Sequence, residues 1–408
     1  MDELERILRE GATLHEAGHY DEALALYDEA LARWSSLALL WNNRGNTLLE
    51  LGLIPQAIKS YQQALQLEPS LHDSRVALAT CLQAAGEVQQ ALAECTQVLK
   101  VAPDHAEAHW NFGLLLLLQG DYTAGFREYE WRWKKRRFTS PVRQFSQPRW
   151  QGTDPAGKII LIYAEQGYGD VLQFCRYLPL LVKRGAEVLF ECHQPLVTIM
   201  QTLGPGITVV PFGSPLLLSF EYHAPLLSLP YLFGSTFETI PATVPYLTVP
   251  EARLPFWRSV MPASSTCKTG LCWAGKSYPD PGRSCQVELL KPLMNLSGLS
   301  WVSLQMTENS VKPFSLIDLT MLVQDFADTA ALLAQLDLVI TIDTAVAHLA
   351  GALGKETWLM VPFAPDWRWG LNRTDCPWYP TIRLFRQERA GAWETVIEQV
   401  REALVLRA

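Results

Sequence analysis

Two short segments hold residues whose types and spacing could do chemistry: Ala164 to Asp170 reads AEQGYGD, and Asp343 to His348 reads DTAVAH. In the first, Gln166 leads a turn in which Gly167 and Gly169 let backbone approach a ligand with no Cβ in the way. Asp170 follows at the start of an expected helix. A carboxylate there suits a general base that takes a proton from an acceptor hydroxyl, an effect of ~10²–10⁴-fold in rate; it also suits a plain helix N-cap. In the second, an apolar run from Leu338 reaches Asp343 and Thr344, and a helix opens. The first N–H groups of such a helix, those of Ala345 and Val346, have no intrahelical acceptor and form a ready phosphate or diphosphate site. Thr344 adds a hydroxyl. His348 lies one turn on, where ligand contact and burial as a core histidine are both open.

The elements that must position these residues follow from a change of hydrophobic period. Lys158–Ala164 reads as a buried strand, followed by a helix through Val182 and strands at Glu187–Cys192 and Thr208–Pro211. A proline-rich connection runs from Ile240 to Pro262. A second series begins at Thr269 and continues through a strand at Leu299–Gln305, a helix at Asp328–Gln335, strands at Leu338 and Thr357–Pro362, and a last helix at Trp393–Leu404. Two successive Rossmann-like halves are the economical architecture, with ligands at the strand carboxyl ends. GxGxxG follows the first strand of neither half, which argues against a dinucleotide-dependent dehydrogenase.

The first third has a different ruler. Gly11, Gly45, Ala79 and Gly113 stand 34 residues apart, as do Gly18, Gly52, Gly86 and Gly120; Ala23, Ala57, Ala91 and Gly125; and Tyr27, Tyr61, Cys95 and Tyr129. Small residues are expected where helices cross closely, with a large one filling the next layer. With Trp41, Ala64 and Pro69 also in place, residues 3–137 resemble tetratricopeptide repeats. That implies an all-α superhelix of about four hairpins with a concave face for a peptide or protein segment. Asn43 and Asn111 share a column facing that groove, where repeat glycosyltransferases of the O-GlcNAc type carry backbone-holding asparagines; Arg9 and Ala77 occupy the column in the other units. His105 and His109 have metal-binding spacing but no third ligand in sequence, so a solvated helix face is expected. The basic, aromatic stretch from Trp131 to Arg149 reads as a linker whose arginines dock on acidic neighbours.

Composition narrows the classes. A formal charge of −8 over 408 residues argues against nucleic acid as main partner. No apolar run reaches the ~18 residues of a membrane span, and the charged start is unlike a signal peptide. Eight cysteines without a CxxC pair point to reduced thiols and a cytoplasmic setting.

Taken together, Gly169-Asp170 and the DTAVAH segment are similar to the heptosyltransferase-type family of GT-B glycosyltransferases over residues 157–405, and the repeats ahead of them resemble bacterial repeat-containing glycosyltransferases. The resemblance implies a GT-B fold, with residues 1–138 as repeats, 139–157 as linker, 158–245 as the acceptor-side half, 246–268 as connection, 269–390 as the donor-side half and 391–408 as the C-terminal helix. It implies Asp170 as base, with His223 as rival. Asp343, Thr344, Ala345, Val346 and His348 would hold a nucleotide-sugar, helped by Lys276, Arg283, Ser284 and Arg368, with Gln305 reading the base. Related loops commonly read GN where this chain has Gly275-Lys276. No D-x-D occurs, so no metal or other cofactor is expected, and one base without a covalent nucleophile implies inversion. The acceptor would be a protein or peptide brought by the repeats. A transferase for lipid-linked glycans and a non-catalytic repeat adaptor are the alternatives.

Overall fold

The 34-residue columns become four successive helix pairs: Asp2–Glu16 with Tyr20–Arg33, Ala38–Glu50 with Ile54–Leu67, His72–Ala84 with Val88–Val101, and Ala106–Gln119 with Tyr122–Tyr129. The computed structural model describes residues 2–136, 138–215, 219–263, 265–276, 281–306 and 316–407. The columns do two different jobs. A Cβ on Gly11 or Gly45 would lie 2.5 or 2.8 Å from the ring of Tyr27 or Tyr61, so these glycines make room for the tyrosine of the partner helix. The Gly18 column does not mark a crossing. Gly18, Gly52, Gly86 and Gly120 take φ of 81°, 71°, 81° and 92° and end their helices in left-handed turns.

The chain divides into two compact units, residues 1–119 with 127–138, and residues 120–126 with 139–408. The second holds two parallel sheets. In the first sheet β1 (Ile159–Tyr163), β2 (Glu187–Cys192), β3 (Ile207–Pro211) and β4 (Tyr222–Pro225) run in the order β3-β2-β1-β4. The second sheet comprises β5 (Cys267–Cys272), β6 (Leu299–Ser303), β7 (Ile317–Asp318), β8 (Leu338–Ile342), β9 (Thr357–Val361) and β10 (Ile382–Arg386), in the order β10-β9-β8-β5-β6-β7. Strand β1 pairs with β2 through Leu161 and Leu189 and with β4 through Leu161 and His223, while β8 lies between β5 and β9.

Every residue of β8 and β9 is buried, as expected of parallel strands covered on both faces. Leu338, Ile340 and Ile342 join Trp358, Met360 and Phe385 in a core closed by Trp393, Val396, Ile397 and Val400 of the last helix, Trp393–Arg407. Two expectations are revised. The helix after β1 is not continuous to Val182: Tyr168–Phe174 gives way to a tight turn at Cys175–Tyr177 and a new start at Leu178–Lys183, where Pro179 cannot donate to a preceding turn. The proline-rich connection also contains its own helix, Leu254–Val260. Among the described residues no helix is long and apolar enough to cross a membrane, and all eight cysteines are unpaired.

Candidate functional site

The turn after β1 is built around Asp170. Gln166 takes a left-handed φ of 61° and donates its N–H to Ser140 Oγ at 3.0 Å. Buried Glu165 accepts the N–H of Leu227 at 3.1 Å, fixing the turn from below. Gly167 then caps the front helix, Tyr168–Phe174, and donates its N–H to Asp170 Oδ2 at 3.0 Å. Asp170 is therefore not the N-cap: Gly167 holds that position, and Asp170, at the third helical position, closes the first turn by accepting the cap's N–H. Its other oxygen, Oδ1, accepts from Arg368 at 2.5 Å, and 19% of its side-chain surface stays exposed. Burial pushes its carboxyl above the ordinary value, while Arg368 pulls the other way.

The turn after β8 meets this one directly. Thr344 caps the back helix, Ala345–Ala352, without a side-chain bond to the helix; its hydroxyl lies 3.4 Å from Thr341 Oγ1 and 3.9 Å from Cys272 Sγ. The N–H groups of Ala345 and Val346, at the first two helical positions, have no helical acceptor. A Cβ on Gly169 would lie 2.8 Å from His348 Cδ2. Gly169 is thus small because the two helices touch there, and the neighbour it admits is the His348 ring. His348 is a buried core residue: Nδ1 pairs with Tyr379 Oη at 2.9 Å, the ring lies 5.4 Å from that of Trp369, and burial holds the imidazole neutral, well below its usual pKa. Its Nε2 lies 3.8 Å from Asp343 Oδ1. Burial, then the nearby Asp366 carboxylate, push Asp343 up to about 6.

Arg368 joins the two halves. It donates to Asp366 at 2.9 and 3.1 Å, to Gln173 Oε1 at 2.5 Å and to Asp170. Asp366 and Gln173 are not singled out by the sequence, although both signals are short-range. Asp366 sits two residues before Arg368, and Gln173 one helical turn after Asp170. Arg176, likewise unmarked in sequence, is buried and donates to the carbonyls of Gln173, Pro241 and Trp378, pinning the front helix to the second half.

The remaining expected residues separate into groups. Gln305 is buried at the end of β6, where its amide accepts from Trp273 and Ala274 N–H at 3.1 and 2.9 Å and donates to Ala274 O at 2.9 Å. It braces the loop after β5, a commitment at odds with reading a base. Ser284 accepts the Gly275 N–H at 3.1 Å, Arg283 folds over Gly275 and donates to Lys276 O at 3.0 Å, and Lys276 is exposed. Residues 277–280 of that loop lie outside the described residues. His223 packs between Phe145 and Tyr163, with ring distances of 4.7 and 5.9 Å, and burial lowers its pKa. Strand β4 thus buries it in an aromatic layer, unlike the part-exposed Asp170.

In the repeats, Asn43 accepts from Asn42 at 3.0 Å and Asn111 donates to Thr80 Oγ1 at 2.9 Å, so both amides serve neighbouring side chains. His105 pairs with Asp73 at 3.0 Å and His109 with Glu128 at 2.5 Å; with only 12% and 14% of their side chains exposed, and His109 stacked on Trp131, neither stands on the solvated face the sequence suggested. The linker arginines find carboxylates, Arg136 with Asp73 at 3.1 Å and Arg143 with Glu191 at 2.6 Å.

Tetratricopeptide repeat family models match residues 38–71 and 76–136. The N-terminal helices are tetratricopeptide repeats. Over 437 residues the chain is 28% identical to Protein FlbA of Caulobacter vibrioides, covering 99% of this chain and 73% of that protein. Among solved structures it is similar to YrrB, described as a tetratricopeptide repeat protein with an unusual peptide-binding site, at 22% identity and a TM-score of 0.28. That match covers 31% of this chain and 64%, just under two thirds, of YrrB. A similar match to MamA has 18% identity and a TM-score of 0.30, covering 31% of this chain and 74% of that one.

Proposed function

We propose that this chain is a GT-B glycosyltransferase that moves a sugar, with inversion, from a nucleotide-sugar to a hydroxyl of a protein or peptide held by the repeats. The observation that carries the reading is the meeting of the two turns. The helix that carries the part-exposed carboxylate of Asp170 packs against the open-ended helix of the other half, with Gly169 touching His348 and Arg368 reaching across to Asp170.

In the reaction, the acceptor O–H proton passes to Asp170 as its oxygen bonds to the anomeric carbon. The bond from that carbon to the diphosphate oxygen breaks, and its electron pair leaves with the nucleoside diphosphate. The N–H groups of Ala345 and Val346 and the Thr344 hydroxyl receive the departing charge. A helix terminus favours an anion by only ~0.3–1 kcal/mol when exposed, so Arg368, Arg283 and Lys276 share the task.

The test is calorimetry of the purified chain with UDP, GDP, ADP, CDP and dTDP, beside Thr344→Val and Lys276→Ala. Micromolar binding of one nucleotide, weakened by both changes, supports a donor site. Binding of none favours a repeat adaptor. With the donor known, NMR of the product anomer tests inversion; a retained configuration would sink that part.

A further inference from the structure

Arg368 is only 7% exposed, and its nitrogens already serve Asp170, Asp366 and Gln173. A guanidinium presents a planar fork that fits carboxylate and phosphate oxygens alike, so a diphosphate competes for the same donors. Asp170, for its part, has a strong donor on each oxygen, Gly167 N–H on one and Arg368 on the other. An anion held in this way is a poor base, because the ion pair stabilises the form that must take the proton. The Gly167 bond is local to the helix turn and stays with the fold. The Arg368 bond comes from the other half, 198 residues away in sequence, and can be exchanged.

We propose that Arg368 is a donor-dependent latch on Asp170: before donor binding it holds the carboxylate, and a nucleoside diphosphate group at the back helix draws the guanidinium off, so that base competence follows donor binding. This inference rests on the transferase reading above. It makes Arg368 a positioning residue as well as a phosphate contact, and it imposes an order, donor before acceptor. Burial already lifts the Asp170 carboxyl, and Arg368 is the largest opposing influence; the released group is the more basic one. The exchange need not break all of the arginine's anchors, since Asp366 lies two residues away on the same loop and can move with it.

The test is a double-mutant cycle on the full chain, reading affinity by calorimetry for the nucleoside diphosphate that the wild type binds. Arg368→Gln is expected to weaken binding roughly 30-fold or more, the range for removing one partner of a buried charged contact. Asp170→Asn is expected to tighten it roughly tenfold, because the guanidinium no longer has to leave a carboxylate. In the Arg368→Gln background, Asp170→Asn should change affinity less than about twofold. A tenfold gain that persists without Arg368 would reduce the effect to simple charge repulsion and overturn the latch. So would unchanged affinity in Asp170→Asn. If no nucleoside diphosphate binds the wild type or any variant, the transferase reading itself fails and the latch falls with it. Circular dichroism checks each fold. Should Asp170→Asn not fold, Asp170→Ser, which also removes the charge that holds Arg368, takes its place in the cycle: a gain that vanishes without Arg368 supports the latch, and one that persists overturns it.

Discussion

The front and back turns have the same construction and opposite chemistry. Each leaves the carboxyl end of a central parallel strand, β1 or β8, and opens a helix at once. The front helix brings its own anion: Asp170 accepts the Gly167 N–H and meets the positive end of its helix. The back helix begins with Thr344, whose hydroxyl is held only loosely, at 3.4 Å from Thr341 and 3.9 Å from Cys272, and no carboxylate caps it. One turn is electrostatically filled and the other open. In the transferase proposed above, a bound anion belongs at the back and the proton acceptor at the front, and the two turns divide the reaction between them.

Removing the front carboxylate attacks this division hardest. Asp170→Asn is expected to lower turnover by ~10²–10⁴-fold while nucleotide binding survives, as read by sugar transfer beside calorimetry. Equal loss of both would mean that the front turn is part of the donor site. The two front glycines come next, because the structure separates residues that look alike in sequence. Gly169→Ala pushes a Cβ to 2.8 Å from His348 and should cost about 1–2 kcal/mol after the better helix propensity of alanine is counted. Gly167→Ala meets only Asp170 Oδ2, at 3.4 Å, and should fall within ~0.5 kcal/mol of wild type in denaturant unfolding. Equal costs at the two positions would remove the helix contact as the reason for Gly169.

Much of this division is legible in the sequence. The repeat period is a local, regular signal, and the β8 run into Asp343 and Thr344 has enough apolar residues to announce a buried strand and a helix start. Strand β4 gives no such signal, since Tyr222–Pro225 is only four residues long and carries a histidine and a proline. Nor does β7, a two-residue edge strand. Sequence also does not say which partner each polar group takes. Gln305 and Arg368 both end or follow strands on the same edge, yet Gln305 spends its amide on the backbone of Trp273 and Ala274, whereas Arg368 reaches across to Asp170. Pairing over 198 residues depends on the packing of two halves, which leaves no periodic trace.

A smaller effect is expected at Thr344. Thr344→Val keeps the shape of the back turn and removes one hydroxyl, so nucleoside diphosphate affinity should drop by about 0.5–1.5 kcal/mol, the net worth of a hydrogen bond. Thermal stability should hardly move, because the hydroxyl makes no cap bond to its helix. A variant that binds as well as wild type would leave the backbone N–H groups as the sole anion donors of that turn.

The smallest effect concerns Asp343, the carboxylate nearest the open turn in sequence. Its native pKa of about 6 stands above its ordinary 3.8, so the folded protein holds this proton more tightly than the unfolded chain. The stability it contributes is complete below about pH 3.8 and is lost as pH rises through about 6. Asp343→Asn resembles the protonated form and carries no such dependence. The variant should therefore gain on wild type as pH rises from 4 to 7, by about 1 kcal/mol or less, since part of the burden is shared with Asp366 and 17% of the side chain meets solvent. Urea unfolding of both proteins at several pH values measures it. An unchanged difference across that range would show Asp343 ionised throughout, and the back turn would then face a full negative charge that an incoming diphosphate must also overcome.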